Sequence, residues 1–202
     1  NYNFFPPLIY QVATAFLEPS SISYPFRKFF AGKKNLQFRL GELLSVVPAE
    51  NKIIDSGLIL ALDDIRDPGN LGTILRLCDW FGIKQIVCSK ETVDIYNPKV
   101  VQATMGSITR VNVVYTDLEA FLEKTSLPVF GTFMDGANIY KQSLPEKGIV
   151  VMGNEANGIS AVIEKLAANR LSIPRFGDLQ QTESLNVATA TAIILSEFKR
   201  GL

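Results

Sequence analysis

Three short stretches of the sequence set polar, chemically competent side chains at sharp turns beside apolar runs. The first is Asn70-Leu71-Gly72-Thr73-Ile74-Leu75-Arg76, preceded by the acidic Pro-Gly turn Asp63-Asp64-Ile65-Arg66-Asp67-Pro68-Gly69. An apolar strand stops at that turn, and Asn70 opens a helix whose apolar face is Leu71, Ile74, Leu75 and Cys78. Arg76 falls outside that face. The free amides and partial positive charge of a helix start suit a phosphate or another anion, and an ordinary capped helix with a solvated arginine fits the same residues. The second stretch is Ile149-Val150-Val151-Met152-Gly153-Asn154-Glu155, an apolar strand cut off at glycine, with Gly158 five residues further on. Glycine lets a ligand approach the backbone closely. Open α/β sheets bind ligands where a buried strand gives way to such a turn, and Glu155 would sit in that crevice mouth. A plain strand-to-helix turn with an exposed glutamate is the alternative.

The third stretch runs Leu171-Ser172-Ile173-Pro174, through a loop with Gly177 and Gln180-Gln181-Thr182-Glu183, into Ser184-Leu185-Asn186-Val187-Ala188. Small residues fill the early helix, so another backbone can pack on it. Ser184 and Asn186 are both able to cap, and one helix needs a single cap, which leaves the other for a loop or a substrate. Histidine is absent from the chain, which excludes a Ser-His-Asp triad and any imidazole base. Proton transfer must fall to Arg, Lys, Glu, Asp, Tyr or the substrate. No Gly-rich dinucleotide fingerprint follows a strand, and no Gly-Lys-Ser/Thr phosphate loop occurs.

The elements that must position these turns follow from periodicity. Strands are expected at 58–62, 85–88, 110–115, 128–133, 148–152 and 170–173. Helices are expected at 70–81, 97–105, 117–124, 160–168 and 184–199, with Asn70, Asn97, Asp117, Ser160 and Ser184 as N-caps. Short apolar runs alternating with helical stretches specify an α/β fold with a mostly parallel sheet.

The 202 residues, 47% of them hydrophobic, suffice for one full domain and a small addition. Formal charge is zero, so the total declares no nucleic-acid binder. Residues 1 to 50 carry five Lys and Arg against three Asp and Glu, a weakly basic arm balanced by the remainder. That arm has prolines at 6, 7, 19, 25 and 48 and no sustained period. Its cluster Phe26-Arg27-Lys28-Phe29-Phe30, followed by Lys33, Lys34 and Arg39, suits either a nucleic-acid platform or an amphipathic helix with core phenylalanines. The chain opens on Asn1 rather than Met, and the arm is expected to comprise pieces of a longer N-terminal domain joined across gaps. Cys78 and Cys88 have no metal or redox spacing and are expected as buried free thiols. With no bilayer-length apolar run and no leader pattern, a reducing, cytoplasmic setting is expected.

Taken together, the Asn70 to Arg76 stretch, Gly153-Asn154-Glu155-Ala156-Asn157-Gly158-Ile159-Ser160, and Ile173-Pro174 with Ser184-Leu185-Asn186-Val187-Ala188 resemble the three motifs of the SpoU (TrmH-like) branch of the SPOUT RNA methyltransferases. The resemblance covers roughly residues 55 to 202. It implies an α/β knot, a C-terminal trefoil knot on a mostly parallel sheet, for that segment. Residues 1 to 54 would be an N-terminal substrate-binding segment or partial domain. It also implies methyl transfer from S-adenosylmethionine to a ribose 2'-hydroxyl, S-adenosylhomocysteine as product, no metal, and a homodimer. The substrate would be RNA, rRNA rather than tRNA because an appended N-terminal segment in such proteins usually grips ribosomal RNA. The same chemistry on tRNA, or a non-catalytic RNA-binding role, are the alternatives.

By the same resemblance Asn70, Arg76, Glu155, Ser184 and Asn186 form the catalytic group. Arg76 would position the phosphate and the 2'-hydroxyl from the partner subunit, and the others would orient it and the ribose. Gly131, Thr132, Met152, Gly153, Asn154, Gly158, Ile173 and Leu185 would hold the cofactor through backbone groups and apolar flanks. The chain departs from the pattern at Leu77-Cys78, where Thr-Ala is common, and at Ala156-Asn157, where a glycine and a base are common. The second change removes a potential phosphate contact.

Overall fold

The computed structural model describes residues 53, 57–177 and 184–200. The expectations for the N-terminal arm, the domain boundary near 54 and the Gln180 to Glu183 loop lie outside those residues. Six strands form one sheet in the order β3-β2-β1-β5-β4-β6, and every neighbouring pair is parallel. In chain order the strands are β1 (Leu58–Leu62), β2 (Gln85–Cys88), β3 (Asn112–Tyr115), β4 (Val129–Asn138), β5 (Gly148–Met152) and β6 (Asn169–Ser172). The helices are α1 (Pro68–Trp80), α2 (Pro98–Thr104), α3 (Leu118–Lys124), α4 (Ala161–Leu166) and α5 (Val187–Lys199).

β1 and β5 lie at the centre and are buried throughout. A central parallel strand is covered by helices on both faces, which is why both read as unbroken apolar runs. Their alternate side chains enter two separate cores. Leu58, Leu60 and Leu62 join Val150, Met152 and Phe130 under Leu71, Ile74 and Leu75 of α1 and Ile194, Leu195 and Phe198 of α5. Ile59 and Ala61 join Ile149 and Val151 over Leu118 and Leu122 of α3 and Ile163 of α4. Cys78 and Cys88 are free and buried in the first core, where desolvation pushes both thiols well above the usual range.

Two helix starts differ from the sequence expectation. α1 begins at Pro68, and its cap is Asp67, whose carboxylate accepts from the Asn70 amide at 2.7 Å. Proline at the first helical position loses no hydrogen bond. Asn70 is therefore inside the helix, and its side chain has no capping duty. α5 begins at Val187 rather than 184. Asn186 is the cap there, accepting through Oδ1 from Ala188 N at 3.0 Å and Thr189 N at 3.2 Å. Ser184 lies exposed in the preceding turn. At Ser160 the expected cap position holds, but the serine hydroxyl makes no cap bond.

β4 extends to Asn138, past the expected end at 133, through a bulge between Thr132 and Ala137 where its register against β6 shifts. Gly136 lies on the backbone of Leu171, where any Cβ would collide. β3 starts at 112 because residues 107–109 form a 3-10 turn. β6 ends at Ser172, which releases Ile173 from the strand. α1 packs tightly on α2 because Gly72 has no Cβ to strike Ala103 and the Val100 carbonyl.

Candidate active site

The chain winds outward from β1 to β3 and then resumes on the other side with β4 to β6, so the order of the strands reverses between β1 and β5. Ligands of open α/β sheets commonly enter the crevice at such a switch. Here the chain itself fills it. Asn154, just past β5, donates from Nδ2 to the Asp64 carbonyl at 2.6 Å and to Asp64 Oδ2 at 3.3 Å. Its Oδ1 accepts from Ala156 N at 2.9 Å and Asn157 N at 3.1 Å, folding the turn around one side chain. Buried Asp63 completes the clasp by accepting from Ser160 N at 2.7 Å, capping α4 from β1. Asp63 and Asp64 were not singled out as site residues by the sequence. Their signal was the pair of carboxylates directly after an apolar strand.

The two glycines of this turn have different reasons. A Cβ on Gly153 would overlap the backbone of Gly158 and Ile159, so the turn's own closure requires glycine here. Asn154 and Gly158 pair there through two backbone bonds of 2.9 Å. Gly158 has open space around it but a φ of +70°, which L side chains rarely adopt.

Above the clasp, three of the proposed catalytic side chains meet. Asn70 donates from Nδ2 to Glu155 Oε1 at 3.0 Å, and Asn186 donates from Nδ2 to Asn70 Oδ1 at 2.9 Å. The Glu155 carboxylate also faces the backbone amides of Arg66 and Asp67 at 3.4 Å each, just ahead of α1, where the helix dipole favours negative charge. Arg66 is turned away into an ion pair with Asp64 at 2.8 Å, and the hydrogen bond it donates to that carboxylate raises its pKa. The three sequence motifs therefore converge in one relay, Asn186 to Asn70 to Glu155.

Arg76 stands apart from it. It lies six residues beyond Asn70, roughly 9 Å along the helix axis, exposed, and with no hydrogen bond or ion pair among the described residues. Gly69, Thr73 and Trp80 share its outward stripe, and Trp80 is 84% exposed. Ser184 and Leu185 are exposed at the approach to α5.

A groove of about 360 Å³ opens at the β4–β6 edge, lined by Met134, Asp135, Ser172, Ile173, Pro174 and Arg175. Of the proposed cofactor residues, Ile173 lines it directly. Thr132, at the bulge, points its hydroxyl to the Val151 carbonyl at 3.1 Å and toward Met152 Sδ at 3.7 Å, tying β4 to β5. Gly131 is buried against the Phe133 ring and Ala167. Gly153, Asn154 and Gly158 belong to the clasp and do not line the groove. Met134, Asp135 and Arg175 were missed by the sequence because they lie on the irregular part of β4 and on a loop without a repeat. The groove's outer wall is fixed by Arg170, which pairs with Asp135 at 2.5 Å and Glu164 at 2.6 Å and lies 3.7 Å above the Phe133 ring. The Arg170 hydrogen bond holds the Asp135 carboxyl below its usual range. The groove's size and its mixture of apolar walls with strand-end polar groups suit a nucleoside-sized ligand.

With this geometry in place, the relatives define the class. Residues 57–196 match the family model described as the SpoU rRNA Methylase family, and the chain belongs to that family. It is 32% identical over 151 residues to the 23S rRNA (guanosine(2553)-2'-O)-methyltransferase RlmP of Bacillus subtilis, covering 72% of this chain and 59% of the relative. Among solved structures it is similar to an RNA methyltransferase of the TrmH family from Porphyromonas gingivalis, with 43% identity, a TM-score of 0.71, and coverage of 77% of this chain and 64% of that one. It is also similar to an AdoMet-bound rRNA methyltransferase from Sinorhizobium meliloti, with 33% identity, a TM-score of 0.69, and coverage of 75% and 60%. The chain thus spans about three fifths of the length of the curated relative it matches. No helix among the described residues is long and apolar enough to cross a membrane.

Proposed function

We propose that this chain carries the catalytic domain of an RNA ribose 2'-O-methyltransferase that uses S-adenosylmethionine and acts on rRNA. The observation that carries this reading is the Asn186–Asn70–Glu155 relay, which unites three sequence-distant motifs. Membership in the SpoU family, and the 23S rRNA 2'-O-methyltransferase name of the Bacillus subtilis relative, supply the substrate class.

The groove's lining fits the cofactor: Ile173, Pro174 and Met134 offer apolar flanks for an adenine, and Ser172, Asp135 and the backbone at Met134 and Ile173 offer polar partners. S-adenosylmethionine supplies a methyl group already activated on a sulfonium, so the protein's work is alignment of the ribose 2'-oxygen and removal of its proton. When bound, S-adenosylmethionine would supply its methyl group to that oxygen and leave as S-adenosylhomocysteine.

Asn70, held by Glu155 and Asn186, would orient the ribose together with Ser184. Arg76 would hold the adjacent phosphate and the 2'-hydroxyl. Guanidinium is too basic to serve as an ordinary base, so the proton would be shared with the substrate phosphate. Because Arg76 lies off the relay in its own chain, we assign it to the relay of a partner subunit in a homodimer. The further assignments are a C-terminal trefoil knot, an RNA-gripping segment before residue 55, and a cytoplasmic location.

The test is transfer of labelled methyl from S-adenosylmethionine to unmodified 23S rRNA and tRNA transcripts, followed by mapping of modified riboses. Label at a ribose of 23S rRNA is expected. Label on tRNA alone would move the substrate, and no label on either would refute the activity.

A further inference from the structure

Phe176 lies one residue beyond the groove lining and is 81% exposed. Its ring stacks on Tyr140, with centroids 6.3 Å apart and planes inclined by 28°. Tyr140 has a firm foot. It sits in a 3-10 turn whose Ile139 is fully buried and whose Asn138 side chain accepts from Tyr140 N at 2.9 Å. One face of Phe176 is therefore supported, and the other is open to solvent beside the groove. Cationic side chains flank both rings in sequence, Lys141 next to Tyr140 and Arg175 next to Phe176, and both are exposed. The acidic residue of the groove, Asp135, is engaged by Arg170.

We infer that the open face of Phe176 is a stacking platform for a base of the RNA substrate, resting on the activity proposed above. Every nucleobase presents a π-face to an aromatic ring, and neighbouring cations attract the phosphates on either side of a stacked base. A ring supported from below and placed at the mouth of the methyl-donor groove would hold the target nucleotide, or its neighbour, while the ribose turns inward. Specificity for the sugar would lie with the Asn70 relay, and grip on the base with the Tyr140–Phe176 pair.

The experiment uses the full chain with S-adenosylmethionine and unmodified 23S rRNA transcript, comparing wild type with F176A, F176Y and Y140A. F176A is expected to raise the KM for RNA about 5- to 150-fold, the range of one base–aromatic stack. Its kcat and cofactor affinity should stay within twofold of wild type. F176Y should restore the KM, and Y140A should raise it less than F176A. An unchanged RNA KM in F176A would overturn the platform while leaving the methyltransferase reading intact. A parallel loss of cofactor affinity would instead make the ring a wall of the cofactor pocket, and dissociation of F176A into monomers on sedimentation would make it a subunit contact. Either result overturns the inference. If wild type transfers no methyl to RNA, the activity and the platform fall together.

Discussion

Asn186 donates a 2.9 Å hydrogen bond to Asn70 across 116 residues of chain, while its other amide atom caps α5. One side chain therefore sets where the last helix begins and which way the Asn70 amide faces. Once Oδ1 of Asn70 accepts from Asn186, its Nδ2 must donate, and Glu155 is the acceptor it meets.

The two duties of Asn186 can be separated. N186D keeps an acceptor for the Ala188 and Thr189 amides but loses the donor to Asn70. Thermal stability should change by less than about 1 kcal/mol, since the cap persists, while methyl transfer should fall at least tenfold. N186A should lose both, with stability reduced by about 1 kcal/mol. Thermal melts and initial rates on one preparation check this.

The two glycines of the clasp should behave differently. G153A drives a methyl into the backbone of Gly158 and Ile159 and should cost about 2–3 kcal/mol or prevent folding. G158A meets nothing within 4 Å and bears only the cost of positive φ, about 1–2 kcal/mol. Urea denaturation would rank them.

Asp63 is the buried side of the clasp. D63A leaves the Ser160 amide without its 2.7 Å acceptor and should lose about 1–3 kcal/mol. Hydrogen exchange at the start of α4 should rise more than in α1.

Asp79 predicts a pH dependence. Hydrogen bonds from Arg110 and Ser107 hold its carboxyl below the usual range. A carboxylate with a depressed folded pKa stabilises the fold above its unfolded pKa, and the contribution disappears as pH falls through the folded value. Melting temperature should therefore drop below about pH 4. D79N should flatten part of that acid limb, and the effect should be small because the pair is partly solvated. An unchanged limb in D79N would remove this ion pair from the account.

Much of the fold is legible in the sequence because burial on both faces leaves continuous apolar runs, as in Leu58 to Leu62 and Gly148 to Met152. The second half of β4 is not, since Ala137 and Asn138 rejoin β6 only after a bulge that periodicity cannot register. The helix starts shift for a related reason. Asp67 and Asn70 are both competent caps, and so are Ser184 and Asn186, and only packing decides which backbone amides need an acceptor. In the site, the three motifs can be found by residue type, but the clasp that aligns them cannot. Asp63 and Asp64 bond to residues 97 and 90 positions away, and nothing local distinguishes them from a solvated acidic turn.

The proposed role of Arg76, serving the Asn186–Asn70–Glu155 relay of another subunit, can be checked by mixing two inactive variants, R76A and N186D, after unfolding and joint refolding. A mixed dimer would pair Arg76 of one chain with Asn186 of the other in one intact site. Random pairing should then restore roughly one quarter of wild-type methyl transfer. A mixture that forms dimers yet remains as inactive as either parent would contradict the account.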